Sequence, residues 1–177
     1  MIAEKPSIAK SLSDCLSAGR ASTKKIGRIS YHKFEGIFKG VKASITVSSV
    51  AGHVYGADFT RENNNWDAID SSQLYNVSIE KKEADFKGKI PGKLSSLAKG
   101  KDILCLWLDC DKEGENICYE VLYNTFPFMT PRNYQQIYRA KFSSLTREDL
   151  KRAYNNINDI PNLLDSLFVD ARQVRIT

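Results

Sequence analysis

The sequence predicts an α/β fold in which a largely parallel sheet is flanked by helices and carries an inserted hairpin. Three observations support this prediction. The dense apolar run between Asp102 and Asp109 is typical of a strand buried on both faces of a sheet. Segments with apolar residues at helical spacing precede and follow that run. Two strand-like segments flank Lys39-Gly40 and predict a hairpin. A chain of 177 residues is long enough for one well-buried core, so one main domain is expected.

The elements alternate along the first half of the chain. Pro6 suits the first turn of a helix, and Gly19 is expected to end that helix. The hairpin has the arms "ISYHKFEGIF" and "VKASITVSSV", and the second arm alternates with a period of two. Residues 56–100 are polar and rich in lysine. We therefore expect much of this segment to be loop or exposed helix.

The second half continues the alternation after the buried strand. Residues 115–126 carry a helical apolar stripe, and "YQQIYRAKF" predicts another strand. Thr146 and Asp149 have the spacing of a capping box and predict the start of a helix. A last helical segment is expected to begin near Asn162. We expect residues 1–160 to form the main domain and residues 161–177 to begin a following domain.

Composition restricts the function only slightly. The chain has 26 Lys and Arg against 21 Asp and Glu, which gives a net charge of +5. This excess suits a polyanion such as nucleic acid, but many ordinary soluble domains are equally basic. The longest apolar run is far shorter than the roughly 20 residues of a transmembrane helix, so no membrane contact is expected. The N-terminus lacks a leader-like apolar core and the cysteines lack zinc spacing, so we expect an intracellular protein with reduced thiols.

The segment "WLDCDKEGEN" places several carboxylates directly after the buried strand. Asp109 and Asp111 are two residues apart, and Gly114 permits a turn that brings Glu113 toward the same point. The carboxyl ends of strands form the usual ligand-binding edge of such sheets. Carboxylates gathered there repel each other unless a cation neutralises them, and their hard oxygens select Mg²⁺, Mn²⁺ or Ca²⁺. These three acids are therefore candidate metal ligands.

Two other interpretations of the acidic segment stay open. Acids near a helix start can simply favour the helix dipole, and for Glu115 this is the preferred interpretation. The segment also matches the calcium loop of an EF-hand at several positions. Against that loop, the preceding residues are strand-like and the fifth position is Glu113, longer than the usual Asp or Asn. Its eighth position is Asn116 rather than a branched apolar residue.

Glu4 and Lys5 lie just before the first helix, at the expected end of the strand that precedes it. In an α/β sheet, this is the same edge that carries Asp109. A lone Glu-Lys pair on a surface usually has little energetic weight. Beside a metal cluster, however, Glu4 could move a proton while Lys5 holds a phosphate. Phosphoryl transfer needs both of these functions together with a metal.

The motifs "AEKPSIAK", "SVAGHV" and "LDCDKEGENI" occur in that order, and together they resemble the Toprim domain of type IA DNA topoisomerases. The segments "LWLDCDKEGENICYEV" and "EKKEA" look like the eukaryotic beta branch of the topoisomerase III family, and "RAKFSSLT" and "VDARQ" also resemble that family. The resemblance implies a Toprim (Rossmann-like) sheet and Mg²⁺, or Mn²⁺ in its place, bound by Asp109, Asp111 and Glu113. It also implies that Glu4 works as an acid or base near the scissile phosphate and that Lys5 contacts that phosphate.

The same resemblance implies a reaction and its partners. In the family, a tyrosine forms a transient 5′-phosphotyrosyl link with one DNA strand, and religation follows strand passage. That tyrosine lies in a separate domain, so this chain is expected to carry only the Toprim half of the site and to be inactive alone. The corresponding expectations are single-stranded DNA or RNA as substrate, a Tudor-domain partner protein and a nuclear or cytoplasmic location. A Toprim primase or nuclease and a non-catalytic nucleic-acid-binding module remain alternatives.

Four further residues receive weaker expectations. His53 lies in the family's "GH" motif, where a structural role in a turn is at least as well supported as a catalytic one. The segment "DARQ" resembles the start of the family's following DNA-binding domain, which residues 161–177 would begin, and the resemblance implies that Arg172 lies against the nucleic-acid backbone. Trp66 is expected to anchor a loop rather than to stack on a base. Asp109, Asp111 and Glu113 define the acidic edge of the predicted sheet. The sequence does not decide whether Arg139 is buried against this acidic edge or lies at the edge of a strand.

Overall fold

The computed structural model describes residues 1–63, 70, 72, 76–130 and 136–159. The helices of this part of the chain are α1 (Pro6–Ser17), α2 (Ile90–Ala98), α3 (Lys112–Thr125) and α4 (Arg147–Asn155). The strands are β1 (Ile2–Ala3), β2 (Ser22–Ile26), β3 (Ile29–Phe38), β4 (Val41–Ser49), β5 (Tyr55–Phe59), β6 (Ile79–Glu83), β7 (Leu104–Trp107), β8 (Ile137–Arg139) and β9 (Asn158–Asp159).

Seven of these strands form one sheet in the order β2-β3-β4-β1-β7-β8-β9. β1 pairs in parallel with β4 and β7, and β7 pairs in parallel with β8, so the centre of the sheet is parallel. The antiparallel pairs β2–β3, β3–β4 and β8–β9 extend the sheet on both sides. β5 and β6 form a separate antiparallel pair. The predicted α/β fold class is confirmed, with hairpins widening a parallel centre.

The burial of β7 explains the dense apolar run in the sequence. All four residues of this strand are buried. Leu104 and Leu106 belong to the core shared with α2 and α3, while Cys105 and Trp107 belong to the core on the side of α1 and α4. Because side chains alternate across a strand, a strand covered on both faces leaves no exposed position for a polar residue. The predicted buried strand is therefore confirmed.

Local sequence explains the helix starts and the main hairpin. Pro6 occupies the first turn of α1, as predicted. The Thr146 hydroxyl caps α4 by accepting a hydrogen bond of 3.3 Å from the amide of Asp149. The β3–β4 hairpin turns at Lys39 and Gly40, which both have positive φ. Two such residues form the turn that matches the twist of paired strands, so the predicted hairpin is also confirmed.

The lysine-rich segment contains more structure than the sequence predicts. For much of residues 56–100 the sequence indicates loop or exposed helix, whereas β5 pairs with β6 and α2 packs onto the sheet. Leu94 of α2 is fully buried. α2 buries only three residues, and β5 and β6 bury none, so the composition of this segment remains polar. β2 is missed because none of its five residues is buried.

Several sequence predictions lie outside the described residues. These are the loop role of Trp66, the helical segment from Asn162, the backbone contact of Arg172 and the domain boundary at residue 160. Within the described part of the chain, we find no helix with the length and apolar character needed to span a membrane. The four cysteines are free thiols.

Candidate active site

Parallel pairing of β1 with β7 brings Glu4 next to Asp109. Ala3 pairs with Trp107, so both acids follow their strands at the carboxyl edge of the sheet. Glu4 Oε2 accepts a hydrogen bond of 3.4 Å from the backbone amide of Asp109. The Glu4 side chain is 12% exposed and the Asp109 side chain is 42% exposed. Glu4 is therefore held between strand ends, whereas Asp109 faces solvent on one side.

Lys5 supplies the cation of this group. Its Nζ lies 3.2 Å from Glu4 Oε1 and 3.9 Å from Asp109 Oδ2. The hydrogen bond and charge of Glu4, together with the charge of Asp109, raise the pKa of Lys5, so its ammonium stays protonated at neutral pH. The Lys5 side chain is 57% exposed and remains accessible to an incoming anion. Three predicted site residues thus come together, and we call Glu4, Lys5 and Asp109 the strand-end group.

The strand-end group carries more negative charge than Lys5 cancels. Partial burial, followed by the negative charge of Glu4, raises the pKa of Asp109. Lys5 opposes this rise but does not remove it. A carboxylate whose charge is disfavoured in this way gains from an additional cation beside it. The group is therefore electrostatically suited to a positively charged ligand.

Asp111 and Gly114 form the start of α3. Asp111 Oδ1 accepts a hydrogen bond of 2.7 Å from the amide of Gly114 and so caps the helix. Gly114 lies inside the first turn, and its φ is not in the left-handed region. A Cβ at this position would lie 2.0 Å from the carbonyl oxygen of Asp109. Glycine is needed for this close approach of helix and strand end, rather than for the sharp turn that the sequence suggests.

Glu113 contacts His53 on the loop that follows β4. Glu113 Oε1 lies 2.9 Å from His53 Nε2, and the Glu113 side chain is 68% exposed. His53 Nδ1 lies 3.6 Å from Oε2 of Glu120. The buried Glu120 carboxylate also accepts a hydrogen bond of 2.8 Å from the amide of Val54. This arrangement favours a positioning role for His53. Sequence analysis misses Glu120 because it lies within an otherwise ordinary helical segment.

Arg139 is buried against the acidic edge, which settles its location. Its Nη2 lies 2.9 Å from Glu115 Oε1 and donates a hydrogen bond of 2.8 Å to the carbonyl of Asp109. Its Nη1 donates hydrogen bonds of 2.8 Å to the carbonyls of Leu108 and Ala140. The Arg139 side chain is only 7% exposed. Glu115 lies in the first turn of α3, as predicted, but its carboxylate also neutralises this buried guanidinium.

The donor chemistry of the edge fits a hard divalent cation. Asp109, Asp111 and Glu113 offer carboxylate oxygens, which Mg²⁺ prefers. Partial burial and the negative charge of Glu4 raise the pKa of Asp109, and a cation beside it would favour its charged form. Nevertheless, the described residues contain no cluster of three or more His, Cys, Asp or Glu side chains arranged to hold a metal ion. Asp111 caps α3 and Glu113 contacts His53, so metal ligation by all three acids stays a prediction.

The chain was compared with models of known protein families. A model of the family described as "Toprim domain" matches residues 1–145. This chain belongs to the Toprim domain family. The match includes Glu4, Lys5 and the three candidate metal ligands. It ends before residue 160, so the predicted boundary of the Toprim domain stays a prediction.

The Toprim chain is also similar to curated topoisomerase proteins. It is 46% identical over 173 residues to "DNA topoisomerase 3-beta" of Arabidopsis thaliana and 41% identical over 178 residues to "DNA topoisomerase 3-beta-1" of Homo sapiens. It is 31% identical over 182 residues to "DNA topoisomerase 3" of Saccharomyces cerevisiae. These alignments cover 98 to 99% of the chain but only 20 to 27% of the relatives. The chain therefore spans about a fifth to a quarter of their length, and the resemblance predicted from the motifs is confirmed.

Proposed function

We propose that this Toprim domain supplies the acid/base and Mg²⁺-binding half of a type IA topoisomerase of the topoisomerase III family. The observation that carries the proposal is the strand-end group, in which Glu4, Lys5 and Asp109 lie in mutual contact at the carboxyl edge of the sheet. A cation for the phosphate, a proton carrier and metal-binding carboxylates are the parts that phosphoryl transfer requires. Similarity to topoisomerase 3 proteins over nearly the whole chain supports this choice among Toprim enzymes.

Lys5 binds a non-bridging oxygen of the scissile phosphate in this proposal. Its ammonium is exposed on the solvent side of two carboxylates, so a phosphate can approach it directly. Negative charge that develops on the phosphate oxygens in the transition state is then stabilised by the ammonium. Glu4 and Asp109 already hold Lys5 in place, and this limits the rearrangement that binding requires.

Glu4 transfers the proton at the 3′-oxygen of the broken strand. In cleavage, Glu4 first takes up a proton from solvent; a tyrosinate oxygen then attacks phosphorus, the bond from phosphorus to the 3′-oxygen breaks, and the Glu4 carboxyl donates its proton to that oxygen. In religation, the 3′-hydroxyl attacks phosphorus, the bond from phosphorus to tyrosine breaks with tyrosinate as the leaving group, and the Glu4 carboxylate accepts the proton of the 3′-hydroxyl. The attacking tyrosine is assigned to another domain of the whole protein, as the family resemblance implies.

The remaining edge residues hold the acids in position. Asp109, Asp111 and Glu113 would bind Mg²⁺, which supplies positive charge against the phosphate when bound. Arg139 fixes the Asp109 carbonyl, and His53 fixes the Glu113 side chain. Single-stranded DNA is the proposed substrate, with RNA as a second. A Tudor-domain protein is the partner that the resemblance suggests.

Substitution of Glu4 in the full-length protein tests this function. Glu4→Ala should slow the relaxation of negatively supercoiled DNA by at least about 100-fold, because the proton at the 3′-oxygen loses its carrier. Affinity for single-stranded DNA and the circular dichroism spectrum should stay unchanged. Glu148→Ala is the matched control, since Glu148 is an exposed acid in the first turn of α4. We expect this control to relax DNA at the wild-type rate.

Two results would redirect the interpretation. Relaxation at the wild-type rate by Glu4→Ala would contradict the acid/base role and favour a non-catalytic nucleic-acid-binding module. Failure of the unsubstituted full-length protein to relax DNA would favour another Toprim enzyme, such as a primase or a nuclease.

A further inference from the structure

A second surface, made by two turns, combines positive charge with an exposed aromatic ring. One turn joins β2 to β3 at Gly27 and Arg28. The other comprises residues 85–89 and is closed by hydrogen bonds of 3.0 Å and 3.1 Å from the amides of Gly88 and Lys89 to the Asp85 carbonyl. Arg28 Nη1 lies 3.7 Å from Asp85 Oδ2, so the two turns are in contact. We define the basic corner as Arg28, Phe86, Lys87, Lys89 and Lys93.

Most of the positive charge on the basic corner is not neutralised. Arg28 faces Asp85, whereas Lys87, Lys89 and Lys93 form no ion pair with any residue that the structure describes. Lys93 extends toward the β2–β3 turn, because a Cβ on Gly27 would lie 2.5 Å from its Nζ. Lys93 therefore adds its charge to the same surface as Arg28. Like charges gathered in this way attract a polyanion.

Phe86 gives the basic corner a flat apolar surface. Its side chain is 80% exposed, more than any other large hydrophobic residue in the described part of the chain. The turn beneath it is fixed, since the Gly88 amide also donates a hydrogen bond of 2.8 Å to Asp85 Oδ1. Single exposed hydrophobic residues are common on protein surfaces. An exposed ring between lysines, however, has the composition of a base-stacking platform on single-stranded nucleic acid.

The basic corner lies at the same edge of the sheet as the strand-end group. Ser49 of β4 pairs with Ala3, the residue before Glu4. The adjacent β4 residue, Ser48, pairs with Tyr31 of β3. The β2–β3 turn therefore extends beyond the edge on which Glu4 lies. Adjacent strands are about 4.8 Å apart, so β3 and β2 lie roughly 10 to 15 Å from β1, within the reach of a few nucleotides.

Backbone contacts also connect the basic corner to the acidic edge. The Ala84 amide donates a hydrogen bond of 3.0 Å to the carbonyl of Val54. Val54 directly follows His53, whose ring contacts Glu113. The turn that carries Phe86 therefore begins immediately after a residue that is bound to the His53 loop. A nucleic-acid strand that contacts both the basic corner and the acidic edge would therefore pass over one continuous part of the protein.

We propose that the basic corner binds the single-stranded nucleic acid on one side of the scissile phosphate. Arg28, Lys87, Lys89 and Lys93 contact phosphates, and Phe86 stacks on a base. The proposal rests on the proposed function, because it takes the nucleic-acid strand at the acidic edge as its ligand. Phosphate contacts provide salt-dependent affinity, and an aromatic contact tolerates any base. The corner therefore adds affinity and orientation without sequence preference.

Binding of a short fluorescein-labelled single-stranded DNA of mixed sequence to the 177-residue chain tests the proposal. Fluorescence anisotropy is measured at several salt concentrations. Lys87→Ala combined with Lys89→Ala should lower the affinity about tenfold and reduce the slope of log affinity against log salt by about 1.4, because each phosphate contact contributes about 0.7. Phe86→Ala should lower the affinity by about 5- to 100-fold and leave the slope unchanged.

A control with the same change in charge separates a local site from general attraction. Lys42→Ala combined with Lys99→Ala removes two exposed lysines near the opposite edge of the sheet and should leave the affinity unchanged. Circular dichroism confirms that each variant is folded.

Three outcomes would overturn the proposal. Equal weakening of DNA binding by the control pair would show that only net charge matters. Absence of binding by the unsubstituted chain would show that single-stranded DNA is not a ligand of the basic corner. Wild-type affinity of both corner variants for single-stranded DNA would show that the corner does not bind nucleic acid. It would instead favour an acidic protein segment as the partner of the corner. None of these outcomes alters the role of Glu4, which the relaxation assay decides separately. Failure of the corner and failure of the proposed function are therefore distinguishable.

Discussion

The carboxylates at the edge of the sheet occupy two different environments. In the strand-end group, Glu4 and Asp109 lie side by side and keep surplus negative charge despite Lys5. At the start of α3, by contrast, each acid has its own protein partner. Asp111 binds the Gly114 amide, Glu113 contacts His53, and Glu115 pairs with Arg139. The first environment favours an external ligand, while the second mainly fixes the shape of the edge.

The difference follows from where each acid lies along the chain. A helix start has unpaired amide groups and a positive dipole end, so acids placed there find protein partners. A parallel strand end fixes the backbone but leaves the side chain facing outward. The D-x-D-x-E spacing therefore joins one outward-facing acid to two acids that already have protein contacts. If all three bind Mg²⁺, those contacts have to be shared or exchanged.

Loss of Arg139 should have the largest effect, because this residue joins the two environments. Arg139→Met keeps the approximate volume but leaves the Glu115 carboxylate and the Asp109 carbonyl without their buried partner. We expect the free energy of unfolding to fall by about 3 to 5 kcal/mol, as when one partner of a buried ion pair is removed. Urea denaturation of the chain measures this change.

A double substitution provides the control for Arg139. Arg139→Met combined with Glu115→Met removes both charges, so part of the lost stability should return. Wild-type stability of the single variant would show that the buried ion pair does not join the strand end to α3.

Gly114→Ala should be the next largest change. The added Cβ would lie 2.0 Å from the Asp109 carbonyl oxygen, so α3 would have to move away from the strand end. We expect a loss of about 2 to 3 kcal/mol in the free energy of unfolding, which urea denaturation measures. Gly92→Ala is the matched control in α2, where no atom lies within 4 Å of the added Cβ. It should gain about 0.5 to 1 kcal/mol. An equal effect of both substitutions would refute the close-approach argument.

The sequence was sufficient to predict the strand-end environment. The apolar run before Asp109 requires a strand with both faces covered, and the carboxyl edge of a parallel sheet then places Glu4 on the same edge as Asp109. The structure adds that β1 pairs with β7, which makes the two acids neighbours. The cation beside them was also predictable, because Lys5 is adjacent to Glu4 in the chain. These inferences depend only on strand burial and chain order.

The protein partners of the helix-start acids were not predictable in the same way. Arg139 binds backbone carbonyls about 30 residues earlier in the chain, and a charged residue in a strand-like segment is equally compatible with an exposed edge. Glu120 holds the His53 loop from within α3, where its spacing gives no signal. Such contacts depend on how β8, α3 and the loop after β4 pack, which residue spacing does not encode.

Titration of Asp109 should give the smallest effect and tests the strand-end environment directly. Its raised pKa means that the folded chain binds this proton more tightly than the unfolded chain. As the pH rises from the ordinary range of an aspartate through the raised pKa, this group therefore lowers the free energy of unfolding. Asp109→Asn removes that contribution, so the metal-free variant should be more stable than wild type at neutral pH. The gain should stay below about 1 kcal/mol, because a side chain that is 42% exposed is screened by solvent.

Urea denaturation between about pH 3 and pH 7 measures this difference, which should shrink toward the acidic end as Asp109 becomes protonated in both states. Glu113→Gln is the comparison from the helix start. It should show no gain at neutral pH, because Glu113 is more exposed and contacts His53 rather than a second acid. A metal-free Asp109→Asn chain that is less stable than wild type at neutral pH would mean that Lys5 already compensates the charge of Asp109. The strand end would then carry no surplus negative charge to attract a cation.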